Sequence, residues 1–309
     1  MRILVLGFTG YLGSHAVERL HALPGVRVLG GGRSPDAELG IDLGTASADL
    51  LAKALASAAP DVVINCAGAT GGDAVTLAEV NARGPAVLCA ALREAAPTAR
   101  LVHLGSAAEY GPGVRDTSVA ESAATRPVTP YGATKLAGTV TVTASGLDAV
   151  VLRVGNPVGP GAPPTGLPGR IAGLLREAGR DPDAVIRLGD LSAYRDFVDV
   201  RDVAGAAVRA ATATGPLPRV LNIGGGRAVP VRDLVRAMAR IAGFQGRIEE
   251  DSGGSARSGE VSWQCSDITA AGDALGWRPA HTLDDSLAAL WAAVRADTPS
   301  GQRDGDRAP

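Results

Sequence analysis

Three sets of residues in this chain could do chemistry together. Tyr131 and Lys135, in YGATK (131–135), are four positions apart, so a helix over 131–145 puts both on one face. A free phenol titrates near ~10, and an ammonium one turn away favours its ionised form. Glycines at 7, 10 and 13, in GFTGYLG, follow a short apolar run and open a helical pattern. There Gly7 permits a tight turn, Gly10 lets backbone approach a pyrophosphate, and Gly13 lets helix and strand pack closely. The helix start adds a preference for negative charge. Ser106, in LGSAAEYG (104–111), offers a hydroxyl at the end of another apolar run. A Tyr–Lys pair alone is a weak signal. With a dinucleotide site upstream and a hydroxyl partner, it becomes a candidate proton-transfer group.

The elements that must position these residues alternate along the chain. RILVLG (2–7), VRVLGGG (26–32), DVVINCAG (61–68), ARLVHLGS (99–106) and LDAVVLRVG (147–155) are continuous apolar runs of strand length. Helical patterns separate them at 14–23, 46–58, 75–95 and 131–145. Strands buried on both faces and joined by helices predict an α/β fold, a Rossmann-type doubly wound parallel sheet. The texture changes after 155. GNPVGPGAPPTGLPG (155–169) is too rich in Gly and Pro for a regular element. A helix over 169–179, a strand near 185–189, a strand–helix stretch over 197–212, a strand end at 221–226 and an amphipathic helix over 231–243 follow. The expected organisation is a dinucleotide-binding core over 1–155, to which 190–225 returns. A smaller discontinuous C-terminal lobe over 156–189 and 226–295 would receive the substrate, and 296–309 would form a disordered tail.

Composition excludes several classes. The net charge is −2 and aromatic content 3%, which argues against a nucleic-acid binder and gives no reason for membrane-surface attraction. Cys66, Cys89 and Cys265 lie far apart with no CxxC pair. They read as reduced thiols of a cytoplasmic protein, with no metal site and no disulfide framework. The N-terminus is apolar only briefly, neither a signal peptide nor a membrane span.

GxxGxxG spacing with a later YxxxK resembles the extended branch of the short-chain dehydrogenase/reductase superfamily. NCAG (65–68), RVGNPVGPG (153–161), YRDFVDVRDVAGA (194–206) and LGWRP (275–279) are similar to further motifs of that branch, in order, through nearly the whole chain. The resemblance implies a cofactor site at Gly7, Thr9, Gly10, Tyr11, Leu12, Gly13, Cys66, Ala67 and Gly68, with Tyr131 and Lys135 beside the nicotinamide. Asp42 and Leu43 resemble the pair that lines the adenine. The second strand ends GGGRS (30–34), where an acid would accept bonds from a ribose 2′-hydroxyl and repel a 2′-phosphate. Arg33 and Ser34 stand there instead, which suits NADP(H) over NAD(H).

The catalytic group implied is Ser106, Tyr131 and Lys135, with Asn81 supporting the lysine through backbone and water. Tyr131 moves the proton while hydride passes between nicotinamide C4 and a carbonyl carbon. Family sugar 4,6-dehydratases carry an Asp-Glu pair after the Ser/Thr. Ala107 and Ala108 occupy those positions here, so dehydration is not expected. Glu109 is one residue further on and would point the other way if the strand continued. Extended-family enzymes mostly act on nucleotide-diphosphate sugars, which implies substrate contacts from Ser106, Ala107, Tyr131, Asn156, Arg195 and Arg257. Arginine forks suit phosphate oxygens. The chain looks most like GDP-4-keto-6-deoxyhexose reductases and related deoxysugar 4-ketoreductases. The alternatives are a sugar-nucleotide 4-epimerase with tightly held NAD, a ketoreductase tailoring an unactivated natural product, and a dinucleotide sensor, which would not need the proton donor. The family also implies a homodimer through the helices at 75–95 and 131–145.

Overall fold

The computed structural model describes residues 1–250 and 261–296. The first half alternates strand and helix: β1 (Arg2–Leu6), α1 (Tyr11–His21), β2 (Arg27–Gly32), β3 (Leu39–Gly40), α2 (Ala48–Ala58), β4 (Val62–Asn65), α3 (Ala74–Ala78), α4 (Gly84–Ala95), β5 (Arg100–Ser106), α5 (Pro130–Thr143) and β6 (Ala149–Val154). Then come β7 (Asn156–Val158), α6 (Leu167–Ala178), β8 (Val185–Leu188), β9 (Tyr194–Asp199), α7 (Val200–Thr212), β10 (Val220–Ile223), β11 (Ala228–Pro230), α8 (Val231–Ala242), β12 (Arg247–Glu250), α9 (Thr269–Leu275) and α10 (Leu283–Ala296).

Seven strands form one parallel sheet in the order β10-β6-β5-β4-β1-β2-β3. Alternate residues explain why the strands read as unbroken apolar runs. Ile3 and Val5 pack into a core with α1 and α7 on one face, while Leu4 and Leu6 pack with α2 and α4 on the other. Strand order reverses between β1 and β4, so the loops leaving them diverge to opposite sides and open a crevice at the strand ends. All the candidate residues that the sequence gathers after β1, β4 and β5 lie along that edge.

A third core joins β7, β8 and β9 to α6, α8 and α10. Its α8 buries Val231, Leu234, Val235 and Met238, the i, i+3, i+4, i+7 stripe of an amphipathic helix. Within 190–225, α7 and β10 pack with the main sheet, whereas β9 pairs with β7 and β11. The LGWRP segment is tied to α7: Trp277 Nε1 donates to the Asp202 carbonyl, and the Asp202 carboxylate accepts from Ala280 N and His281 N.

Three local features differ from the sequence reading. The helix over 75–95 is interrupted by a π-helical turn at Glu79–Arg83. The Gly/Pro-rich stretch after 155 starts with a regular piece, β7, because Asn156 to Val158 pair with Phe197 to Asp199. Finally, β5 does not continue past Ser106; the chain turns into a 3₁₀ helix over Ala107–Tyr110.

Candidate active site

The loop after β1 is built from backbone. Gly7 has φ +74°, and a Cβ there would lie 2.9 Å from Ala67 N in the loop after β4. At Gly13 a Cβ would sit 2.1 Å from the Gly7 carbonyl oxygen, so α1 can approach β1 this closely only with glycine. Gly10 caps α1 without any side-chain hydrogen bond, leaving the first-turn N–H groups for an anion. This uncapped, glycine-cradled helix start fits the pyrophosphate of a dinucleotide.

β5 delivers Ser106 to the cleft. Its hydroxyl accepts from Ala108 N at 3.2 Å, and its own N–H donates to Glu109 Oε1 at 2.8 Å. α5 delivers Tyr131 and Lys135. Pro130 sits in its first turn, and Thr129 caps it by accepting from Gly132 N at 3.1 Å. Lys135 is 6% exposed and donates to the Leu104 carbonyl at 2.5 Å. Burial pulls its pKa below the usual lysine range, and the Glu109 carboxylate and Cys66 oppose that pull. Burial also pushes the Cys66 thiol up to about 12, so it stays protonated at neutral pH.

The π-turn explains Asn81. It is fully buried, its side-chain oxygen accepts from Ala69 N, and its Nδ2 donates to the Ala69 carbonyl and to Thr134 Oγ1. α5 crosses this turn at Gly138, where a Cβ would lie 2.3 Å from the Asn81 carbonyl oxygen. Asn81 thus locks the loop after β4 to the helix that carries Tyr131 and Lys135.

A cleft of about 880 Å³ brings together Gly10, Tyr11, Leu12, Cys66, Ala67, Gly68, Asn81, Ser106, Tyr131, Lys135, Asn156 and Arg195. Gly7, Thr9, Gly13, Arg33, Ser34, Asp42 and Leu43 do not line it. Gly7 and Gly13 act through the turn. Arg33 is exposed, and Ser34 Oγ accepts from Asp36 N. Asp42 spends a carboxylate oxygen on Gly44 N, and Leu43 is buried in the core. Ala107 is buried and Ala108 faces the cleft instead, because the 3₁₀ turn replaces strand alternation. Arg257 lies outside the described residues.

Arg195 is the electrostatic outlier of the cleft. It is 8% exposed, donates to the Tyr194 carbonyl, and has no carboxylate partner among the described residues. Burial lowers its pKa accordingly. Asp196, next along β9, points away and accepts from Gly225 N and Ser266 N. Sequence reasoning missed Gln264, which accepts from Asn156 Nδ2 at 2.8 Å, and Arg170, which also lines the cleft. Neither sits in a motif, and only the folded chain brings them here. Among the described residues there is no cluster suited to a metal, and no helix is long and apolar enough to cross a membrane.

The family model "NAD dependent epimerase/dehydratase family" matches residues 3–224. The chain belongs to that family. It is therefore an NAD(P)-dependent enzyme of the extended short-chain dehydrogenase/reductase type. It is similar to the dTDP-6-deoxy-L-talose 4-dehydrogenase (NAD(P)(+)) of Kitasatospora kifunensis, 37% identical over 94% of this chain and 95% of that protein. A UDP-glucose 4-epimerase of Mycolicibacterium smegmatis is 32% identical over 93% of this chain and 96% of its own length. Among solved structures, RMD from Pseudomonas aeruginosa complexed with NADPH superposes with a TM-score of 0.82 at 26% identity, covering 96% of this chain and 99% of that one.

Proposed function

We propose that this enzyme interconverts the 4-keto and 4-hydroxy forms of a nucleoside-diphosphate deoxysugar, working as an NADPH-dependent 4-ketoreductase. The observation that carries the reading is the buried guanidinium of Arg195, without a carboxylate partner among the described residues, in the same cleft as Ser106, Tyr131 and Lys135. A buried cation without a counter-charge costs stability, and a phosphate-bearing ligand repays it. Relatives named for dTDP-6-deoxy-L-talose and UDP-glucose support the sugar nucleotide class.

When bound, the dinucleotide supplies or accepts a hydride. The chain's own residues do the rest. Gly7, Gly10 and Gly13 shape the pyrophosphate turn, with the first turn of α1 facing the charge. Ser106 and Tyr131 hold the substrate oxygen, and Tyr131 gives its phenolic proton to that oxygen during reduction. Lys135, charged and one turn away, stabilises the phenolate left behind. Asn81 supports the lysine by fixing the elements around it. Arg195 and Asn156 grip the diphosphate, with Arg257 as a further candidate, and residues 156–189 and 226–295 supply most of the sugar-nucleotide wall. Ala108 at the cleft and Ala107 beneath it put no acid directly after Ser106 for expelling water.

Arg33, exposed beyond β2 where an acid would stand in an NAD site, is assigned to the 2′-phosphate of NADP(H), with Ser34 beside it. Asp42 and Leu43 are assigned to the adenine side. α5 exposes Ala133, Ala137 and Val140, and Ala144 at its C-cap continues this apolar stripe, spaced i, i+4, i+7, i+11. We assign this stripe to a homodimer with a second copy, which light scattering in solution tests directly.

The specific competitor is a 4-epimerase, favoured by the similarity to the M. smegmatis protein. Purified protein that carries no dinucleotide, binds NADPH more tightly than NADH and oxidises NADPH with a nucleoside-diphosphate-4-keto-6-deoxyhexose supports the reductase. Copurified, non-exchanging NAD with inversion at C4 and no net NADPH use establishes the epimerase instead.

A further inference from the structure

The Glu109 side chain is completely buried, and the proton-transfer chemistry described above does not use it. The 3₁₀ turn after Ser106 folds it back beneath β5, away from the cleft. Its Oε1 accepts from Ser106 N at 2.8 Å and from Thr139 Oγ1 at 2.9 Å. Its Oε2 accepts from Arg153 Nε at 2.7 Å. Thr139 lies one turn beyond Lys135 on the same face of α5. One carboxylate therefore ties the strand end that carries Ser106 to the helix that carries Tyr131 and Lys135. Room for it exists only because residue 105 is glycine: a Cβ there would lie 2.7 Å from Glu109 Oε1. Arg153 is fixed in turn by stacking on the Tyr110 ring, 4.5 Å from its centroid, and Tyr110 OH donates to Asn222 Oδ1 at 2.7 Å.

We propose that Glu109, held in place by Arg153, is a positioning residue: the fixed counter-charge of Lys135 and the strut that aligns Ser106 with Tyr131. The groups around Lys135 are Cys66 from the loop after β4, His103 from β5, Glu109 from the 3₁₀ turn with the Arg153 guanidinium of β6 on its far oxygen, and Tyr131 from its own helix. The Cys66 thiol is protonated, and His103, held well below its usual pKa by burial and then by Lys135, is neutral. Glu109 is the carboxylate of the set and opposes the burial that would strip Lys135 of its proton. Replacing either member of the Glu109–Arg153 pair alone would leave a buried charge unpaired, so the informative variant removes both.

This inference rests on the assignment of Ser106, Tyr131 and Lys135 to catalysis, and the test separates the two. The chain contains two lysines, Lys53 and Lys135, and Lys53 is exposed on α2, so Lys53→Arg assigns both resonances. With ¹⁵N-lysine label, the Lys135 ammonium titration is read by NMR without any substrate. In the double variant Glu109→Gln/Arg153→Met, Lys135 loses its proton about one pH unit lower than in the parent. In the same variant kcat for NADPH-dependent reduction of a nucleoside-diphosphate-4-keto-6-deoxyhexose falls about tenfold and its alkaline limb moves acidward, while both KM values change less than about threefold. Glu109→Asp, which keeps the charge, restores the titration. A folded double variant whose Lys135 titrates as in the parent overturns the proposal, as does unchanged kcat with an unmoved limb. Tyr131→Phe turning over substrate at the parental rate would instead overturn the catalytic assignment, while the lysine titration still decides the role of Glu109 as counter-charge.

Discussion

The two walls of the cleft are built by different means. The wall assigned to the dinucleotide is backbone: glycines at 7 and 13 permit a turn and an approach that any side chain would block, and α1 presents uncapped N–H groups. The opposite wall is side chains, with Asn156, Arg195 and Gln264 drawn from three separated segments and linked by tertiary contacts. A wall made of backbone tolerates little change and recognises what all dinucleotides share. A wall made of side chains can be altered residue by residue, and this is where specificity for one ligand can be set.

That contrast can be broken in order of effect. Tyr131→Phe removes the proposed proton donor between the walls. Its kcat should fall about 10³-fold with NADPH affinity within about twofold of the parent, as measured by steady-state kinetics and fluorescence titration. Gly13→Ala strikes the backbone wall, where the added Cβ meets the Gly7 carbonyl oxygen at 2.1 Å. It should weaken NADPH and NADH binding alike, by about a hundredfold, and cost about 1–3 kcal/mol in chemical denaturation. Arg195→Met strikes the side-chain wall. The sugar-nucleotide KM should rise about 30-fold or more with NADPH binding unchanged. The ligand-free protein should unfold at an equal or higher temperature, because a buried guanidinium with no carboxylate partner among the described residues has been removed. Arg33→Ser sharpens the comparison at the edge of the backbone wall: NADPH affinity should drop about tenfold and NADH affinity should stay, in parallel calorimetric titrations.

The same contrast sets what the sequence discloses. Gly7 and Gly13 are legible because backbone geometry restricts which residue can stand there. The apolar strands are legible because both faces of the sheet are covered, and Tyr131 with Lys135 because one helix carries both. The π-turn at Glu79–Arg83 leaves no comparable mark, and the close approach of α5 to it at Gly138 is a tertiary contact. Glu109 looks misdirected on a continued strand and becomes a strut only when the chain turns after Ser106 and Arg153 arrives from β6. Gln264 meets Asn156 across 108 positions of sequence, which no local pattern encodes.

The most direct test of the account is isotope transfer. The enzyme is incubated with a nucleoside-diphosphate-4-keto-6-deoxyhexose and NADPH deuterated on nicotinamide C4, and the product is examined by NMR. The account predicts one deuterium at sugar C4 for each NADPH oxidised, with the incorporation lost in Tyr131→Phe. Absence of deuterium at C4, with inversion of a 4-hydroxyl and no net NADPH oxidation, would contradict it.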